Sequence, residues 1–332
     1  MPENVDWKSI MAVVSDDPGT YFVHDPDAGY NPSTIPTKSI SQPPSPTEEY
    51  FGSSGFDLQV SISTTFHPGA TLDTFGSDLT LSSSDSTFFF VHIHRLLACS
   101  SNGFNSLLPN TSMTASHPIL SIPMDSPALN VLLHSVYGMS AESFRPPLAS
   151  VFAAIDAFTV YGYLPEFYLA PSQPLFKLFV SYAPASPLAC YTKAASLGLD
   201  DLAIAVSPYL LSLSLPQLTD DDAVMMGAVY LKRLLFFHLG RVEALKRLLL
   251  APPVSHPARE NCNMFDQSRL GRAWMLAVSY LTWEPKPGLS VSAIEFVLKP
   301  LADRVTCAEC KSLLHSRIKK VLVEWSLVKH TI

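Results

Sequence analysis

Residues 77 to 104, SDLTLSSSDSTFFFVHIHRLLACSSNGF, change their hydrophobic period within a few positions. Leu79 and Leu81 share one face, Ser82 to Ser86 is a polar turn, and Phe88, Phe90 and His92 then alternate with Phe89 and Val91. Period two on both sides of a short turn predicts a β-hairpin. From His94 onward the pattern is helical, with Leu96, Leu97, Ser100 or Ser101, and Phe104 on one side. A chain that passes from hairpin to helix without a linker has to fold the helix back on the sheet, so an α+β class is expected.

The flanking segments extend this reading. FDLQVSIS, from Phe56, alternates Phe56, Leu58, Val60 and Ile62 with polar residues and predicts a half-buried strand, and PILSIPM, residues 118 to 124, predicts another. SPALNVLLHSVYG and SPLACYTKAASLG share their punctuation: a capping Ser126 or Ser186, Pro127 or Pro187 in the first turn, and Gly138 or Gly198 as a left-handed stop. From about residue 174 the chain reads as helical almost throughout. Thr219 caps a helix whose first turn holds Asp220 to Asp222, compensating the helix dipole, and Val224, Ala228, Leu231, Leu235 and Leu239 recur at helical spacing as a core face. Ser292 with Glu295 and Thr306 with Glu309 have capping-box spacing, and APPVSHPARENCN is the clearest interruption. Residues 1 to 55 carry a Pro-, Ser-, Gly- and Asp-rich stretch with no period and are expected to be disordered or draped. The expected division is therefore 1–55, an α+β domain at 56–170, and an α-helical region at 171–332.

Charge and cysteine content narrow the setting. A net charge of −7 without a long basic run argues against nucleic acid or an anionic membrane as partner. The N-terminus has no apolar h-region, and no uninterrupted apolar stretch reaches the roughly 18 residues of a membrane span, so neither secretion nor insertion is expected. Five cysteines in 332 residues suit free thiols in a reducing compartment, which points to an intracellular protein of cytoplasm or nucleus. Hydrophobic residues make up 47% and charged residues 15%, a balance that fits surface hidden against partners.

Over residues 75 to 164 the order hairpin, helix, strand, helix resembles a BTB (POZ) domain. Ser77-Asp78-Leu79-Thr80-Leu81, Phe89-Phe90-Val91-His92, Ser101-Asn102-Gly103-Phe104, ILSIPM, and VLLHSVYG ending at Tyr137-Gly138 carry the resemblance, with Asp78, Phe90, His92, Ser101, Tyr137 and Gly138 as signature positions. SSDSTFFFVHIHRLLACSSNGFNSLLP is similar to the expanded BTB-like proteins of basidiomycete fungi. The resemblance implies a small sheet covered by helices, and a non-catalytic protein–protein interaction module that self-associates as a homodimer and scaffolds other proteins. It places the contact surface on the N-terminal strand and first helix, at Phe56, Leu58, Val60, Leu96, Leu97 and Phe104. Two departures stand out. One extra residue separates His92 from Phe104 relative to the family spacing, for which a β-bulge is expected. Asn105 to Pro118 also lacks the Glu with which many animal BTB adaptors grip a cullin scaffold, so cullin recruitment stays open.

The rival reading is a metal-dependent hydrolase, because His92 and His94 on alternate strand positions could chelate one ion. A catalytic zinc needs about three protein ligands and an open position, and no H-E-x-x-H or second pair completes this one. A ubiquitin-ligase substrate adaptor is a narrower form of the interaction reading. Cys307 and Cys310 form the only C-x-x-C. A zinc site there would need a second pair, with Cys262, His256 and His315 the available residues, so both thiols are expected as small buried hydrophobes and no cofactor or metal is expected.

Overall fold

The structure, a computed structural model, describes residues 61–108 and 118–332. It is mixed α and β, with a small four-stranded sheet followed by helices. β1 (Ser61–Ile62), β2 (Leu79–Ser82), β3 (Thr87–Val91) and β4 (Ile119–Ser121) lie in the order β1-β3-β2-β4. β2 and β3 form the expected antiparallel hairpin, with Leu79 opposite Val91 and Ser82 opposite Phe88, while β1 and β4 join the two edges in parallel. The Ser82 to Ser86 turn is closed by Ser83, whose hydroxyl bonds Asp85 and accepts from the Thr87 amide. Asp85 also accepts from the amide and hydroxyl of Ser126, so it serves the start of the next long helix. Ser126 is thus the first helical residue rather than its cap.

α1 (Ile93–Ala98) follows the hairpin directly, with His92 as N-cap residue. The ladder is unbroken up to Val91, so the expected bulge is absent. The chain's irregularity falls after the helix, where Gly103, Phe104, Asn105 and Ser106 all take positive φ. Such a left-handed run costs about 1–2 kcal/mol for each non-glycine residue and needs external support. The Ser100 hydroxyl accepts from the Phe104 amide and the Asn102 side chain from the Asn105 amide, and the turn after α3 anchors both residues. α2 (Ser126–Val136) and α3 (Leu148–Val160) pack against each other, and Gly138 ends α2 at φ 69°, as its pattern requires. The Ser101 amide and hydroxyl donate to the Gly162 carbonyl, the Ser100 hydroxyl to Tyr161, and the Asn102 side chain to Val160. Phe104 stacks on Tyr161 with centroids 4.3 Å apart, and the Tyr163 hydroxyl reaches the Leu96 carbonyl.

α4 (Pro165–Tyr168), α5 (Pro174–Ser181), α6 (Pro187–Ser196) and α7 (Asp200–Val206) continue the chain. One core runs from Phe66 through these helices to Met226, Tyr230 and Leu234, crossing the boundary expected at 170–171. α8 (Asp220–Leu250) starts with a complete capping box between Thr219 and Asp222 and breaks at Gly227, whose φ of 71° is open to glycine. Its buried side chains include Met226, Tyr230, Leu234, Phe237, His238, Arg241, Leu245 and Leu249. Val224, Ala228, Leu235 and Leu239, expected in the core, are exposed instead, and Leu231 is half-buried. Polar-tipped residues hold the inward face: the Tyr230 hydroxyl bonds Asp200, and the Arg241 guanidinium stacks on Trp325 and donates to the carbonyls of Pro287, Val328 and Lys329. By length and composition α8 could cross a membrane.

α9 (Met264–Trp283), α10 (Val291–Leu298) and α11 (Ala308–Ser326) complete the helical region around Trp274, Ile294, Leu298, Leu314, Val321 and Trp325. α10 is capped by Ser290 rather than Ser292, and α11 has Cys307, not Thr306, at its N-cap. Arg317 donates to the carbonyls of Leu248 and Ala251, and the Trp274 indole to that of Leu249, so the last turn of α8 is satisfied before the chain enters the 251–263 loop.

A Cβ at Gly162 would lie 2.7 Å from the Asn102 backbone nitrogen at φ 76°. Gly162→Ala therefore lowers the thermal midpoint by roughly 5 °C or more. Gly198→Ala, strained in φ but with no neighbour within 4 Å, costs less in the same melting experiment; equal shifts would contradict the interlock of the two turns.

Candidate functional site

The signature residues assemble at the junction of sheet and α1. The Asp78 carboxylate accepts from the Ile93 amide at 2.8 Å and so caps α1 from a distant position. His92 is 2% exposed. Its Nε2 lies 2.9 Å from the Phe75 carbonyl, which can only accept, so Nε2 carries the proton and Nδ1 accepts from the Tyr137 hydroxyl at 2.9 Å. The same hydroxyl oxygen accepts from the His92 amide. Burial pushes the Tyr137 phenol up to about 12, which keeps it a donor at neutral pH. Phe90 is half-buried and its amide donates to the Phe66 carbonyl, while Ser101 and Gly138 hold the two turns described above.

His94 lies beside His92, with ring centroids 5.7 Å apart. Its side chain is half exposed and its Nε2 lies 3.1 Å from Asp73, which also takes a 2.6 Å bond from Arg95. The bond from Arg95 holds the Asp73 carboxyl well below the usual carboxylate range. Because that carboxyl ionises more readily folded than unfolded, its contribution is complete above the ordinary value of about 4 and is lost as the pH falls below it. With both His92 nitrogens engaged, the His92 and His94 pair does not present a chelating face.

The expected contact residues separate. Leu96 and Phe104 are fully buried, because α1 turns Leu96 into the core and the left-handed turn stacks Phe104 on Tyr161. They belong to the core rather than to a contact surface. Leu97 is half-buried against the same core, and Phe56, Leu58 and Val60 lie outside the described residues, as does most of the 105–118 loop.

A second cluster forms where sequence spacing shows little. The α8–α9 loop carries His256 and Cys262, the latter in a tight turn whose Arg259 and Cys262 exchange two backbone hydrogen bonds. The start of α11 brings up Cys307 and Cys310. The His256 Nε2 is 3.2 Å from the Cys310 sulfur and 3.4 Å from that of Cys307, and the Cys262 and Cys310 sulfurs are 3.6 Å apart. All four donor atoms lie within 4.8 Å of one another. His256, Cys262 and Cys310 are buried and Cys307 is half-buried; His315 is not part of the group. The backbone N–H groups of Cys310 and Glu309, with Cys262 and His256, draw the Cys307 thiol down to about 7, while burial raises those of Cys262 and Cys310. Cys310 is buried as expected and Cys307 only half so, and both meet His256 and Cys262. The C-x-x-C and the polar loop interrupting the helical half were the signals that could have joined the four.

Compared with family models, curated proteins and solved structures, the chain has no match.

Tyr137→Phe leaves the His92 amide and Nδ1 without their partner, a loss of about 1–3 kcal/mol. A thermal midpoint lower by roughly 3–10 °C is the expected result of calorimetry on the variant.

Proposed function

We propose that the chain is a non-catalytic, intracellular protein–protein interaction module built on a BTB-like domain. The observation that carries the reading is the apolar surface of α8 after its break at Gly227, where Val229, Phe236 and Leu239 are all more than half exposed. Soluble surfaces rarely line up such residues without a partner. The BTB-like part of the reading is supported by the internal bonds of the signature residues, His92 with Tyr137, Asp78 with the Ile93 amide and Ser101 with the Gly162 carbonyl. Its non-catalytic part is supported by the engagement of both His92 nitrogens, which disfavours the hydrolase alternative.

The occupant we favour is a second copy of the chain, in keeping with the homodimer that the resemblance implies. Leu96 and Phe104 are buried, so we place the contact on α8, with the exposed Phe236 as anchor. Cullin binding finds no supporting observation in the described residues.

Light scattering on the full chain is expected to give twice 36.3 kDa at micromolar concentration. Phe236→Glu with Leu239→Glu, at exposed positions, is expected to give a monomer whose thermal midpoint is within a few degrees of the parent. A parent that stays monomeric overturns self-association, and a double variant that stays dimeric removes α8 as the interface.

A further inference from the structure

The cluster at the head of α11 has the composition and dimensions of a metal site. Tetrahedral coordination with Zn–S near 2.3 Å and Zn–N near 2.0 Å sets neighbouring donor atoms roughly 3.5–3.8 Å apart. The sulfur–sulfur distance of 3.6 Å and the nitrogen–sulfur distances of 3.2 and 3.4 Å already approach that spacing without an ion. The sulfur–sulfur distance is too long for a disulfide bond of about 2.05 Å.

The tautomer of His256 is an independent pointer. Its Nδ1 is 2.7 Å from the Pro257 carbonyl, which can only accept, so Nδ1 holds the proton and the Nε2 lone pair is turned toward the sulfurs. A backbone carbonyl behind a ligating imidazole is the usual outer support of a metal-bound histidine. Charge is also provided for. Three thiolates around a dication leave one net negative charge, and the N-terminus of α11, where Cys307 is the N-cap residue, lies against it.

We propose that His256, Cys262, Cys307 and Cys310 bind one Zn²⁺ in a closed, structural site. Three soft sulfurs and one imidazole select zinc over hard cations. Four protein donors fill the tetrahedron, three of them buried, so no position is open for a substrate or an activated water. The ion pins the 251–263 loop, which holds no helix, to the first turn of α11 across more than forty residues of sequence. It thereby closes the end of the α8–α9–α11 packing opposite the Arg241 network.

The test is metal analysis of the full chain, purified without chelator and with any histidine tag removed. About one zinc per chain is expected, retained in Cys99→Ser, which changes an exposed thiol, and reduced more than tenfold in Cys262→Ser and His256→Ala. Those variants can misfold, so the wild-type chain stripped of zinc and refilled with Co²⁺ supplies a second readout: tetrahedral cobalt bands with a thiolate-to-metal charge-transfer band. Cys307→His, which keeps four donors, is expected to retain zinc. A wild-type chain with less than a tenth of an equivalent of zinc and no cobalt–thiolate band overturns the proposal, as does a disulfide between any two of the three cysteines in the freshly isolated protein.

Discussion

The structure depends on how the chain leaves its sheet. Between Val91 and Leu108 it makes one short helix and four consecutive left-handed residues, which the side chains of Ser100 and Asn102 tie from within the turn. The same residues are anchored on the far end of α3, where Val160, Tyr161 and Gly162 offer their carbonyls to Asn102, Ser100 and Ser101. Gly162 permits the approach because it has no side chain, and Tyr163 closes the arrangement from below through Leu96. His92 and Tyr137 brace the other end of the same helix. The paired histidines, which look like a chelate in sequence, are therefore divided between two tasks, His92 inside the junction and His94 in an exposed cluster with Asp73 and Arg95.

The elements most legible in sequence were those whose local chemistry and tertiary setting agree. The hairpin at 79–91, the Pro-to-Gly helices at 126–136 and 187–196, and the Thr219 cap follow from short-range rules that burial reinforces. The rest was illegible for identifiable reasons. In α8, counting aliphatic residues selects Val224, Leu235 and Leu239, whereas the packed face uses Tyr230, His238 and Arg241. Tyr230 and Arg241 bury their stems and satisfy their polar tips on Asp200 and on backbone carbonyls, while the buried His238 keeps an Nε2 without a partner among the described residues. A period computed on aliphatic content therefore turned the helix outside in. The spare residue before Phe104 was also misplaced, because the cost of a left-handed turn is met by a segment nearly sixty residues away.

The thiol–imidazole cluster shows a different limit. His256 and Cys262 sit in a loop with no periodicity, and their spacing to Cys307 and Cys310 is set by the length of two helices rather than by a motif. Position alone brings them together, since α9 and α10 return the chain to where α8 ended. With a metal bound, the helical region has a cross-link at one end and the buried Arg241 at the other. The proposed interaction face on α8 would then lie on a scaffold held from both sides, as a docking surface requires if its side chains are to stay exposed without collapsing inward.

Hydrogen exchange resolved at single amides tests the junction most directly. The amides of His92 and Ser101, bonded to the Tyr137 hydroxyl and the Gly162 carbonyl, are expected to exchange only with global unfolding and to share its denaturant dependence. Exchange of either amide through a local opening, far faster than the α2 and α3 amides, would contradict the claim that this junction supports the fold.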